Sequence, residues 1–193
     1  LQNAARQVSI YFGAYINYRK SLDENVIGTS MEQQIDVIYD ENLALSFLDN
    51  LELIEESTGL DHYGALFKLN GLVLPDYPKL MISKEEKPSW INNPPDFTGY
   101  ITGIGISGRR KTVSESWEQA DKMAIAEIAE VISTNILAGS ANIERSGESN
   151  RSSTSAGNSL SVTEVHIKGL YIISRWREPD FSYYYSFAIT RKP

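Results

Sequence analysis

PSWINNPPDFTGYITGIGISGRRKTVSESWEQADKMAIAEIAEVI, residues 88–132, decides the fold of this 193-residue chain. Pro88, Pro94 and Pro95 hold its entry extended, because a proline steers the preceding residue out of the helical region. From Tyr100 the side chains alternate. Tyr100, Thr102, Ile104 and Ile106 form a bulky face, and Ile101, Gly103, Gly105 and Ser107 form a nearly bare one, the two-residue period of a strand. Thr112 and Glu115 then make the T-x-x-E capping box that opens a helix. Trp117, Ala120, Ala124, Ile128 and Val131 continue down one side of that helix, and small side chains there let a helix approach a sheet closely.

Gly103, Gly105 and Gly108 also spell G-x-G-x-x-G, the pattern that cradles a pyrophosphate in dinucleotide-binding folds. In such a loop the helix starts inside the motif, and an acidic residue follows about 20 positions later at the end of a second strand. Here Arg109, Arg110 and Lys111 intervene and the next stretch reads as helix. The glycines therefore read as a packing device, with Gly105 inside a strand beneath a helix that begins near Thr112. The alternative is a nucleotide-binding protein or enzyme using Gly103–Gly108. The three cations read as a solvated turn, although they also suit an anionic partner.

Working backwards, residues 3–18 place Ala4 or Ala5, Val8, Phe12 and Tyr15 three and four apart, which predicts a first long helix, followed by a polar loop from Ser21. Met31, Ile35, Ile38, Leu45 and Leu48 predict a second helix capped near Thr29 or Ser30, although Leu43, Leu45 and Phe47 also alternate like a strand. Leu51–Glu56 and Tyr63–Leu69 predict a β-hairpin, and residues 73–87, with Pro75, Pro78 and a charge cluster, read as a linker. Working forwards, the serine-rich stretch 145–159 lacks apolar side chains to offset ordering entropy and reads as a mobile loop. A short amphipathic element, Leu160–Lys168, precedes a final hairpin of Leu170–Trp176 and Tyr183–Thr190 around Glu178, Pro179 and Asp180.

The two halves share an order of parts. Val8 and Phe12 match Ile132 and Ile136, Asn50–Glu55 lies over Gly169–Ser174, and His62, Tyr63 and Leu66 lie over Tyr183, Tyr184 and Phe187, at offsets of 124, 119 and 121 residues. This predicts an α+β chain of two similar modules, each with helices on a small antiparallel sheet: 1–72, which lacks its opening strand, and 88–193, which is complete. The missing strand is expected before Leu1.

Composition narrows the function. Hydrophobic residues make up 41% and charged residues 22%, an ordinary globular balance. No cysteine is present, which excludes disulfides, thiolate nucleophiles and cysteine metal sites. Residues 1–72 carry 4 Lys/Arg against 11 Asp/Glu, which accounts for the whole net charge of −7. Such a chain offers no basic footprint for nucleic acid. His62 and His166 lack companions at ligand spacing, and the acidic residues Asp40, Glu41, Glu55, Glu56 and Asp61 read as a solvated face, so neither catalytic residue, metal nor cofactor is expected. Trp176, Tyr183, Tyr184 and Tyr185 are the candidate partner contacts, because successive residues of a strand point to opposite faces and one must be exposed.

Pro88-Ser89-Trp90-Ile91, then Gly99-Tyr100 with Gly103–Ser107, alanines at 120, 124, 126 and 129, and Lys168–Trp176 before an aromatic final strand together resemble the bacterial twenty-kilodalton envelope lipoprotein family. The module is also similar to part of the flagellar T-ring protein. The resemblance covers 88–193 well and 1–72 weakly. It implies a non-catalytic α+β module of the periplasm or outer membrane that binds other envelope proteins or itself. The family's lipobox cysteine is missing, so any membrane attachment would come through a lipid anchor upstream of Leu1.

Overall fold

A computed structural model describes residues 1–25, 28–58, 63–71, 78, 86–143 and 158–192. The chain is α+β. In order it forms α1 (Gln2–Phe12), β1 (Ala14–Asn25), β2 (Gly28–Tyr39), α2 (Glu41–Ser46), β3 (Leu51–Thr58), β4 (Tyr63–Leu69), β5 (Tyr100–Gly108), α3 (Val113–Ile143), β6 (Asn158–Ile167), β7 (Tyr171–Arg177) and β8 (Tyr183–Arg191). The strands make two three-stranded antiparallel sheets, β2-β1-β6 and β5-β8-β7, and a separate two-stranded hairpin, β3-β4.

The sheet β5-β8-β7 is built as the sequence proposes. Gly103 stands opposite Ala188 and Gly105 opposite Ser186, so the bare face of β5 continues across the small residues of β8. Helix α3 lies on that face. A Cβ on Gly105 would stand 1.8 Å from the Ala120 carbonyl oxygen and 2.3 Å from the Ala124 nitrogen, and one on Gly103 would stand 2.3 Å from the Ala124 oxygen. These obstacles are helix backbone, which cannot rotate away. The other face of the sheet is closed by the proline-rich entry, where Trp90 and Phe97 pack at ring distances of 5.4 and 6.5 Å on the fully buried Phe187.

Helix α3 is apolar on more than the one stripe read from the sequence. Ala124, Ile125 and Ala126 are all buried, and three consecutive residues spread over some 200° of a helix. Ala120, Ala124 and Ile128 face β5, while Ile125, Ala129 and Ile132 join Ile10, Ala14, Ile16, Val165 and Ile167 in the main core. A smaller cluster of Tyr18, Ile35 and Ala126 extends it, and burial together with the nearby Glu130 carboxylate raises the Tyr18 hydroxyl pKa. The helix is thus shared by both large sheets. Val131, placed on its inner stripe by the periodicity, is exposed.

Three sequence expectations are corrected here. The first long helix stops at Phe12, and Gly13 separates it from β1, which takes Tyr15–Tyr18 and the expected loop as far as Asn25, while Gly28–Ser30 of that loop open β2. Ala14, Ile16 and Tyr18 are buried while Tyr15 is exposed, a two-residue alternation that overrides the helical spacing once both edges of β1 are paired. The expected second helix is β2 up to Tyr39, leaving only the short α2, because Ile35 and Val37 face the core on alternate positions. The short element Leu160–Lys168 is strand as far as Ile167: it lies in β6, which runs antiparallel to β1 with Ala14 opposite Ile167. That ladder joins residues of the segment 1–72 to residues of 88–193 in one sheet. Most of the expected linker 73–87 and of the serine-rich stretch lie outside the described residues.

Both expected hairpins form. Each carries a register shift, between Leu53 and Glu55 in β3 and between Ile172 and Ser174 in β7, which are the positions that the internal alignment superposes. Helix α1 is tied to α3 by Arg6, whose guanidinium lies 3.3 Å from the Glu118 carboxylate, itself 3.0 Å from Lys122.

Two outcomes follow from this packing. Gly105→Val is expected to lower stability by about 3 kcal/mol or more, or to prevent folding, whereas Gly108→Ala, where a Cβ meets nothing within 4 Å, changes it by less than about 0.5 kcal/mol, as urea denaturation will show. The Lys122 hydrogen bond, aided by Arg6, holds the Glu118 carboxyl below its ordinary value. Its stabilisation is therefore present above the unfolded pKa of about 4.3 and is lost as pH falls through the lower folded value. Glu118→Gln should lower stability at pH 7 by about 0.5 kcal/mol, since the pair is partly solvated, and match the parent chain near pH 3.

Candidate functional site

The glycine loop and the final hairpin are the two places where the sequence puts chemistry, and they are neighbours in space. Beyond Gly108 the Arg109 N–H donates to the Ser182 carbonyl at 3.0 Å, so the loop runs beside the β7–β8 turn. The Arg110 N–H donates to the Ser116 hydroxyl at 2.9 Å. Thr112 and Glu115 form the expected box, with the Thr112 N–H donating to Glu115 Oε2 at 3.2 Å and the Glu115 N–H donating to Thr112 Oγ1 at 3.1 Å. Four amides that a phosphate would need are thereby bonded within the chain, and a carboxylate already sits at the positive end of α3. Arg109, Arg110 and Lys111 are exposed on the outside of this turn.

The four aromatic candidates separate. Tyr184 is buried against Trp117, edge to face at 4.9 Å, and Tyr185 is buried beside Trp176 at 5.6 Å. Tyr183 is 48% exposed and Trp176 is half-buried. Lys87 reaches over Tyr185 and Trp176, 5.0 and 5.8 Å from the ring centres, and its ammonium lies 3.5 Å from both Glu178 Oε1 and the Tyr185 hydroxyl. The Tyr185 hydroxyl in turn donates to Glu178 Oε1 at 3.2 Å. Desolvation opposes the Lys87 charge, but Tyr185 and Glu178 outweigh it and hold its pKa above the ordinary lysine value. Burial, with Glu178 adding to it, raises the Tyr185 pKa, so the pair stays ammonium and neutral phenol at neutral pH. A cation on aromatic faces with a carboxylate behind it clasps the end of the entry segment to the hairpin.

The hairpin turn carries Phe181 at φ 63, stacked under the Arg177 guanidinium at 3.5 Å. The Ser182 hydroxyl and N–H hold the Asp180 carboxyl below its ordinary range.

Two arrangements have no counterpart among the sequence candidates. Asp121, buried in α3, accepts from Arg175 through Nε at 3.0 Å and one terminal nitrogen at 2.7 Å, and from the Ser186 hydroxyl at 2.6 Å. Burial works against the Arg175 charge and the Asp121 carboxylate overcomes it, raising its pKa. The signal was an acid among the alanines of the packed stripe. Glu127, four residues after Met123 on the same helix, accepts the Ile104 N–H from the outer edge of β5. Nothing in the spacing announces that bond, which depends on how α3 lies over the strand.

The remaining candidates are dispersed. His166 stacks on Tyr15 at 4.4 Å, and His62 and Asp61 lie outside the described residues. Asp40 accepts the Leu43 N–H at 3.0 Å as the cap of α2, and Glu55 and Glu56 are exposed on β3. Among the described residues, most of the large apolar side chains left exposed belong to 1–69, among them Phe12, Ile38, Leu45, Leu53, Ile54 and Leu66.

Truncating the two neighbouring tyrosines separates packing from contact. Tyr184→Ala should cost about 3 kcal/mol or more in chemical denaturation, and Tyr183→Ala less than about 0.5 kcal/mol, which leaves Tyr183 and Trp176 as the members of the set whose replacement tests binding on a folded protein. No family model, curated protein or solved structure matches this chain.

Proposed function

We propose that the chain is a non-catalytic cell-envelope protein of the periplasm or outer membrane, acting as a binding or assembly element toward other envelope proteins or itself. One observation carries the reading: Gly103 and Gly105 are used up by the backbone of α3, and the amides of Arg109, Arg110 and Thr112 are used up by the turn that follows. A motif spent on packing leaves surfaces, not a reaction centre, as what the chain offers a ligand. The apolar residues exposed along 1–69 and the outward Tyr183 are consistent with protein contact.

Two similar α+β modules, 1–72 and 88–193 on either side of a linker 73–87, are the organisation we propose. The coincident register shifts of the two hairpins support it. The compartment rests on the resemblance of Pro88–Trp176 to the envelope lipoproteins, with membrane attachment, if present, through an upstream lipid anchor.

The competing reading, a nucleotide-binding protein using Gly103–Gly108, draws on the exposed Arg109, Arg110 and Lys111. Thermal denaturation with ATP, NAD and NADP decides between them. We expect no shift; a dose-dependent rise in Tm removed by replacing Arg109 and Arg110 with Ser would overturn the binding-module reading. Light scattering across concentrations then separates a monomeric module from a self-assembling one.

A further inference from the structure

Glu127 is exposed on α3, yet its carboxylate accepts a backbone N–H, that of Ile104 in β5. The direction of that amide defines an edge. Gly99 accepts the Lys192 N–H at 2.9 Å and Arg109 donates to the Ser182 carbonyl at 3.0 Å, so the odd-numbered residues from Gly99 to Arg109 turn their backbone groups toward β8. By the two-residue period Thr102, Ile104 and Ile106 turn theirs away from it. Two of these outward amides are already spent inside the chain. The Tyr100 N–H donates to the Phe97 carbonyl at 3.0 Å, and the Ile104 N–H donates to Glu127. An amide carries one hydrogen, so a strand cannot take the Ile104 N–H while Glu127 holds it. The bond itself therefore shows that β5 ends its sheet at this point.

The glycine seat makes that bond reachable. Gly103 lets the Ala124 backbone lie against the strand, and Glu127, about one turn further along α3, arrives at the strand's outer side. Just beyond, Ile106 is 49% exposed.

We propose that Glu127 is an assembly guard, and that the surface it closes fits the β5 edge of a second copy of this chain. This deepens the assembly reading and rests on it. The β5 edge is its own complement: in an antiparallel pairing centred on Ile104, the exposed Ile106 of one copy stands opposite Thr102 of the other, and the outward amides and carbonyls of both strands find partners. The two-fold axis stands perpendicular to the sheet, so both α3 helices remain on one face and both Trp90 entries on the other, and β5-β8-β7 continues into its copy without a clash between layers. Both Glu127 carboxylates lie on this seam, and pairing requires each to release its amide. A charged side chain held over an edge strand is a recognised barrier to such extension.

Replacing Glu127 tests the guard on the full chain. Glu127→Ala changes an exposed helical position to the best helix former, so the fold survives. Light scattering should find the parent chain monomeric and Glu127→Ala at twice its mass, with a dissociation constant of about 100 μM or below. Amide hydrogen exchange at Thr102 and Ile106 should slow in the dimer. Glu127→Gln keeps an oxygen acceptor and should dimerise at least about tenfold more weakly than Glu127→Ala. Adding Ile106→Pro to Glu127→Ala should restore the monomer, because proline is tolerated where the N–H points out of an edge strand and removes a donor from the seam. Four results would overturn the proposal: a monomeric Glu127→Ala chain, a dimer protected outside Thr102–Ile106, a Glu127→Gln chain that dimerises as readily as Glu127→Ala, or a parent chain that already pairs through Thr102–Ile106. A nucleotide-dependent rise in Tm would remove the assembly reading, whereas a monomeric Glu127→Ala chain removes only this guard.

Discussion

Helix α3 lies over β5 at a distance that admits only hydrogen on the α-carbons of Gly103 and Gly105, and the rest of the molecule takes its position from that approach. Backbone against backbone leaves no slack. The helix is fixed in rotation and in height, which puts Asp121 where Arg175 and Ser186 both reach it and Glu127 where it meets the Ile104 N–H. A buried carboxylate contributes little net stability when it is well satisfied, but leaving its partners unpaired is costly, so the Asp121 cluster specifies one seating of the helix. The far side of the same helix then supplies Ile125, Ala129 and Ile132 to the core against α1, β1 and β6.

What the sequence made legible follows the range of the interactions. The strand Tyr100–Gly108, the capping box and both hairpins were readable because alternation, caps and turns act over a few residues. β1 and β2 were not, because AYINY and IDVIY fit three-and-four spacing about as well as two-residue spacing, and the pairing that settles β1 comes from β6, far along the chain. At the candidate site the unpaired glycine face was legible as a helix seat. The fate of the aromatic run was legible only in part: alternation correctly requires an outward tyrosine, which is Tyr183, but Tyr184 and Tyr185 are both buried because the sheet is covered on both faces. Lys87 escaped notice since its value lies in a distant hairpin and not in its neighbours.

The three sheets treat their edges differently, and the differences carry information. β5 is guarded by a carboxylate from its own helix, and β2 and β6 flank a β1 that is bonded on both sides. The hairpin β3–β4 stands apart with apolar side chains in water. Such exposure forgoes about 25 cal/mol per Å² of apolar area, so the hairpin adds less to stability than the covered β7–β8.

The ladder that pairs residue 14 with residue 167 also sets a timetable. A ribosome releases β1 long before β6 exists, and until then β2 is the one strand of its sheet with which β1 can pair. The sheet β5-β8-β7 closes over a shorter loop, with Gly108 opposite Tyr183. Because joining distant segments carries the larger entropic cost, the amino-terminal sheet is the late-forming part, and its apolar face is open to chaperones or to misassociation during synthesis. The sheet β2-β1-β6 cannot close until the last quarter of the chain has appeared.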